Sequence, residues 1–135
     1  MLWQEKYETG NRQVDEEHKE IFSLVQKVID ASFENRGEKI GTIIDFLANY
    51  TIQHFENEEK LMAESGYPGT QAHKKQHSDF LEEVVKLKNK IDAENNSAEN
   101  NIAINKVIVG WLTSHVLGSD MVMAEYYRKW KLARE

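Results

Sequence analysis

The apolar residues of this 135-residue chain fall into four stripes of helical period, and only one proline, Pro68, interrupts them. From His18 the first stripe runs Ile21, Phe22, Val25, Val28 and Ile29. The second reads Ile40, Ile43, Ile44, Leu47, Tyr50, His54, Glu58 and Leu61. The third is His73, His77, Phe80, Val84, Leu87 and Ile91, and the fourth is Ile104, Val107, Ile108, Trp111, Leu112 and His115. Spacings of three and four bring side chains onto one helix face. Four such stripes joined by short connections predict an all-α fold, an antiparallel up-down-up-down four-helix bundle.

Local signals place the boundaries. Asp15 is a good N-cap for the first helix, with Glu16 and Glu17 in a solvated first turn. That helix is expected to stop at Asn35-Arg36-Gly37, where glycine supplies a left-handed exit. Gly66-Tyr67-Pro68-Gly69 is the strongest turn signal. The polar run Glu94-Asn95-Asn96-Ser97 separates the last two helices, and Ser97 is a candidate cap. The whole chain, 1–135, reads as one domain, with an arm over 1–14 and helices over about 15–35, 38–65, 70–93 and 98–130. Trp3 and Tyr7 are expected to lay the arm across the bundle.

All five histidines continue the apolar stripes and so point inward. His54 with Glu58, and His73 with His77, are four apart, which puts both members of each pair on one face. His18 and the third-helix pair come early in odd helices, whereas His54 and His115 come late in even ones. In an up-down bundle those positions share one layer, at about 1.5 Å of rise per residue. With Glu58 and Asp120 added, seven donors are too many for one tetrahedral zinc and suit two adjacent metal ions. Five unpaired imidazoles buried with two carboxylates would be costly; cations remove that difficulty. His115 and Asp120 are the irregular pair, because five residues on a regular α-helix turn side chains roughly 140° apart. For both to reach one site the helix must widen into a π-type turn, and Gly118 between them makes that distortion cheap.

Composition limits the alternatives. A net charge of −6 disfavours nucleic acid as a partner, since phosphate binding needs a concentrated basic surface. The one basic cluster, Arg128, Lys129, Lys131 and Arg134, complements the negative end of the last helix. The absence of cysteine removes disulfides, thiolate ligands and a cysteine nucleophile. MLWQEKYETG lacks the basic start and apolar run of a signal peptide. No stretch approaches the roughly 20 apolar residues that span a bilayer, so no membrane partner and a cytoplasmic location are expected.

Taken together, Asp15-x-x-His18, His54-Phe55-x-x-Glu58-Glu59, Gly66-Tyr67-Pro68, His73-x-x-x-His77 and Trp111-Leu112-x-x-His115 with Asp120 resemble the hemerythrin family, in its bacterial single-domain form, from Trp3 to about Tyr127. The resemblance implies two Fe ions (Fe2+/Fe3+) bridged by Glu58, Asp120 and an oxo/hydroxo group. One iron would be held by His73, His77 and His115, the other by His18 and His54, with an open position on the second for dioxygen. Azide, nitric oxide or peroxide would be further small ligands. The family often has a tyrosine three residues after the aspartate, where this chain has Met123 within Met121-Val122-Met123.

The residues themselves agree with a binding role. Imidazole and carboxylate suit iron, although zinc, manganese or cobalt could occupy the same donors. A histidine-rich, carboxylate-poor set leaves few anionic ligands to stabilise high-valent iron, unlike the paired Glu-x-x-His sites of ferritin-like oxidases. Ile21, Phe22, Phe55, Trp111, Leu112 and Val116 are placed to make a dry O2 pocket, with Leu112 one turn before His115. Glu56 and Glu59 are expected to face solvent or neighbouring helices, without a role. Reversible O2 storage, delivery or transport, rather than an enzyme, is the expected function. A sensing module or a di-iron reductase of peroxide or nitric oxide are the alternatives. The chain ends soon after the fourth helix, so no output module is expected.

Overall fold

The computed structural model describes residues 3–34, 37–94 and 97–135, and the side chains of 37–39, 94 and 97 lie outside that description. After a short 3-10 turn, Glu5–Tyr7, come α1 (Arg12–Phe33), α2 (Gly37–Ser65) and α3 (Thr70–Glu94). A fourth helix over 97–133 follows as five successive stretches: Ser97–Ile104, Asn105–Val109, Gly110–His115, Val116–Asp120 and Met121–Ala133. The second and fourth stretches are π-helical, the other three α-helical. The helices run up and down in sequence order, α1 packing on α2 and on the start of the fourth helix, α2 on α3 and on 121–133. Between them lies a core that includes Phe22, Val25, Val28, Ile44, Leu47, Ile104, Ile108 and Val116, all almost wholly excluded from solvent. Each large apolar side chain buried there contributes about 1.5–3 kcal/mol.

Three boundary expectations need correction. Asn11, not Asp15, caps α1, its side chain accepting from the Val14 amide. Asp15 lies one turn inside and folds back over the arm: Oδ1 accepts from the Thr9 amide (2.8 Å) and hydroxyl (2.7 Å), and Oδ2 from the Gly10 amide (3.2 Å). The cap moves because a carboxylate at the fourth helical position can satisfy several donors of the incoming strand. Gly10 makes that turn at φ 88°, in the left-handed region that glycine tolerates. The arm is thereby shorter than 1–14, and its Tyr7 ring lies 4.8 Å from Phe22. Gly37 opens α2 instead of closing α1; Asn35, Arg36, Asn95 and Asn96, which carried the other end signals, lie outside the described residues.

The turn at 66–69 forms as expected. Gly66, at φ 66°, exits α2, with the Tyr67 amide reaching back to the Met62 carbonyl at 3.0 Å. Thr70 then starts α3, its hydroxyl donating to the Tyr67 carbonyl at 2.6 Å.

The expectation that no stretch approaches a membrane-spanning length is also corrected. The helix Ala98–Ala133 is long and apolar enough to cross a bilayer by length and composition. In this fold its apolar face, with Ile104, Ile108, Leu112 and Val116, is buried against the other helices. The C-terminal cations are partly engaged: Arg128 and Lys129 pair with Glu125, and the Arg134 guanidinium sits 4.6 Å from the Trp130 ring.

The buried Asp15 carboxylate gives the first prediction. Asp15→Ala leaves the Thr9 and Gly10 donors without their acceptor, at about 1–3 kcal/mol for a buried group. Urea unfolding should show that loss, whereas an unchanged midpoint would mean the arm is not held by Asp15.

Candidate metal centre

All seven expected donors meet at one depth of the bundle. Among the described residues, Glu58, His73, His77, His115 and Asp120 form one group of mutually close ligand atoms, and His18, His54, Glu58 and Asp120 a second. Within each group the atoms lie within 4.8 Å of one another, and every residue is buried. Glu58 and Asp120 belong to both groups. The helical registers that place them are the ones predicted: α1 brings His18, α2 His54 and Glu58, α3 His73 and His77, and the fourth helix His115 and Asp120.

The π-turn between the last two donors is present. Val116–Asp120 is π-helical, its wider turn bringing residues five apart back toward one face. A Cβ on Gly118 would meet nothing within 4 Å, so this glycine softens the helix and makes no close packing contact. The π-stretch Asn105–Val109 was not foreseen. There the Asn105 side-chain amide donates to the Asn101 carbonyl at 2.8 Å, satisfying an acceptor that a widened turn leaves less well bonded.

Imidazole Nε2 atoms face the middle of the cluster. His18 Nε2 lies 3.0 Å from Asp120 Oδ2, His54 Nε2 2.9 Å from Glu58 Oε2, and His73 Nε2 3.1 Å from Asp120 Oδ1. His77 Nε2 is 3.0 Å from Glu58 Oε1, and His115 Nε2 3.0 Å from Asp120 Oδ1. Three of the opposite nitrogens are committed elsewhere, whereas His18 Nδ1 is buried without a hydrogen-bond partner among the described residues. His54 Nδ1 donates to Glu17 Oε1 at 2.7 Å, His77 Nδ1 to Glu59 Oε2 at 3.0 Å, and His115 Nδ1 to Gln76 Oε1 at 2.9 Å. Those outer bonds set the tautomers so that inner lone pairs point at the cluster. His77 Nε2 and His115 Nε2 are then 3.2 Å apart with lone pairs converging, an arrangement that needs a cation or a proton between them.

Two acidic residues expected to be bystanders are thus outer partners. Glu17, read as part of a solvated helix start, holds His54 and also accepts from Asn57 Nδ2 at 2.7 Å. Glu59, given no role, holds His77; its neighbour Glu56 is exposed, as expected. The missed signal was register: Glu17 adjoins His18, and Glu59 adjoins Glu58, so each sits at the edge of a ligand-bearing face.

Aromatic rings close the site on one side. Phe55 stacks on His77 at 3.7 Å, and Trp111 stacks between His115 at 4.3 Å and Phe80 at 4.1 Å. Trp111 is only half-buried, whereas Ile21, Phe22, Leu112 and Val116 lie in the core. On another side Met123 packs with Met62 and Val14, filling with thioether the place where a tyrosine was the family's usual choice.

The electrostatics fit a cation site. Both Glu58 oxygens, both Asp120 oxygens and the inward nitrogens of His18, His54 and His73 are buried without a hydrogen-bond partner. Burial opposes ionisation of Glu58, yet the charge on His54 and the close approach of the His18, His54 and His73 rings hold it well below the usual carboxylate range. Asp120 is likewise held low: burial and the Glu58 charge raise it, and contacts to His115, His18 and His73 outweigh them. Burial pushes His54 down, but the Glu58 charge and the Glu17 bond carry it up to about 10. His73 rises to about 9, its burial overcome by Asp120 and Glu58. Without metal, protons stand in for the missing positive charge.

The comparisons with known proteins agree with this geometry. Residues 9–127 match the family model "Hemerythrin HHE cation binding domain". The chain belongs to the hemerythrin family. It is 28% identical over 125 residues to a bacteriohemerythrin of Stenotrophomonas maltophilia, covering 93% of this chain and 80% of that one. A bacteriohemerythrin of Methylococcus capsulatus is 32% identical over 102 residues, 76% of each chain. A crystal structure of wild-type hemerythrin superposes with a TM-score of 0.83 at 27% identity, over 94% of this chain and 97% of that one. Dioxygen-binding di-iron chemistry is the property of this family, and the buried cluster is fitted to hold such a centre.

A pH prediction follows for the metal-free hemerythrin domain. Raised histidine pKa values stabilise the fold fully below the unfolded value of 6.5 and lose that contribution as pH climbs through about 9 to 10. The melting temperature of metal-free protein should fall between pH 7 and pH 10, and that of iron-loaded protein should fall much less. Parallel curves would contradict the proton-for-metal exchange.

Proposed function

We propose that this chain binds dioxygen reversibly at a di-iron centre, as a carrier, store or buffer. The observation that supports the reading is the unequal grouping of potential ligands: five side chains form one cluster, four form the other, and Glu58 and Asp120 belong to both. Glu58 and Asp120 would bridge the pair. His73, His77 and His115 would complete one ion, and His18 and His54 the other. The ion held by His18 and His54 would have the fewer protein ligands, so a small ligand would find room beside those two imidazoles. When bound, the ferrous pair supplies two electrons to dioxygen and takes them back on release.

The chain's own residues govern how cleanly that exchange runs. Ile21, Phe22, Leu112 and Val116 are almost wholly buried and contribute no proton donors, so they keep bulk water from the ligand position. Phe55 and Trp111 stack on ligand rings and restrict their tilt. Glu17, held below its usual pKa by His54 against the effect of its partial burial, stays anionic and supports His54 as a donor. Among these residues none is a buried protonated acid aimed at the ligand position, which favours binding over oxidative turnover.

Anaerobic iron loading, exposure to O2 and removal under vacuum tests the reading. The expected outcome is two irons per chain and colour that appears and reverses over repeated cycles. Irreversible oxidation with turnover of added peroxide would replace it with an enzymatic function. Leu112→Ala should accelerate autoxidation several-fold by admitting water, and an unchanged rate would remove Leu112 from the pocket's function.

A further inference from the structure

We infer that Gln76 and Ser119 form a latch that holds the π-turn open at the register the metal centre requires. This rests on the di-iron reading above and extends it to two residues that donate nothing to a metal. A π-turn is rare and less well bonded than an α-turn, so it persists where its surroundings over-determine it. Packing at Gly118 does not do so, since a Cβ there would touch nothing. The turn Glu5–Tyr7 of the arm rests against the same stretch but reaches neither ring nor carboxylate by a hydrogen bond.

Gln76 does reach across. It lies on α3 between the donors His73 and His77, and its Oε1 accepts from two groups of the fourth helix: His115 Nδ1 at 2.9 Å and Ser119 Oγ at 2.7 Å. One amide oxygen has two lone pairs, and both are used. One donor, His115, stands just before the widened stretch and the other, Ser119, lies inside it, next to Asp120. Pinning both to one atom fixes the distance and rotation between them. The latch therefore sets the phase of Asp120 relative to His115 and ties both to His77, the next residue on α3. It also commits His115 Nδ1 as donor, leaving Nε2 free to ligate.

The chemical identity of Gln76 adds a second consequence. The other outer acceptors, Glu17 on His54 and Glu59 on His77, are carboxylates, while Gln76 is a neutral amide. A carboxylate at 76 would place a third negative charge behind the imidazoles and favour the ferric state.

The experiment compares Ser119→Ala, Ser119→Thr, Gln76→Leu and Gln76→Glu with the parent, each first metal-free and then titrated with cobalt(II), whose visible bands report coordination number. Ser119→Ala and Gln76→Leu should lose metal affinity by about tenfold to a hundredfold. Their amides over 116–121 should exchange hydrogen faster in the metal-free state, and Ser119→Thr should restore both readouts. Gln76→Glu should keep affinity and, loaded with iron, show a midpoint potential shifted downward. Parent-like affinity and exchange in both Ser119→Ala and Gln76→Leu would overturn the latch. Should those two not fold, Gln76→Glu still decides, because an unshifted potential contradicts the contact between residue 76 and His115. None of these measurements uses dioxygen. Reversible O2 binding by the parent alongside parent-like variants would sink the latch alone, and the converse pattern would sink the carrier reading alone.

Discussion

Two buried carboxylates shared by five imidazoles are the constraint from which the rest of this structure follows. Glu58 and Asp120 are shielded from water and held ionised, and their four oxygens have no hydrogen-bond partner among the described residues. Such an arrangement is stable only if positive charge is supplied among them. Protons on the histidines supply it in the metal-free chain, and a pair of metal ions supplies it in the loaded one. The hemerythrin fold is thus a device for burying anions that only cations can neutralise, and the bundle core around Phe22, Ile44 and Ile108 carries the stability needed to hold them there.

The bundle meets that demand economically because helices offer donors at regular intervals. His54 with Glu58, and His73 with His77, fall on one face through ordinary α-helical spacing. The fourth helix cannot do the same with its five-residue separation, and it gives up α-helical geometry over Val116–Asp120 instead. Local irregularity here is the means by which the last two donors converge. The outer bonds to Glu17, Glu59 and Gln76 then turn flexible side chains into oriented ligands, and Phe55 and Trp111 brace the rings from the side.

Where sequence reasoning went astray, either near neighbours competed for one role or the deciding partner lay far along the chain. Asp15 and Asn11 are both good caps, and nothing local says that Asp15 would bend back to Thr9 and Gly10 while Asn11 caps. Glu17 and Glu59 look like ordinary solvated acids, because their partners are 37 and 18 positions away in the chain. The π-stretch at Asn105–Val109 left no donor spacing to betray it, unlike the one at Val116–Asp120, whose necessity could be argued from His115 and Asp120 alone.

Periodicity and spacing by themselves determined the four helices and the inward direction of the histidines, because those depend on angles along a single helix, and the number of donors in one layer pointed to two cations. The tertiary structure decided the rest: how the seven potential ligands group around two shared carboxylates, which acids orient the imidazoles, and how Gln76 reaches across to the fourth helix. Those are distances between helices, set by side-chain packing at their interfaces, and no pattern within one segment encodes them.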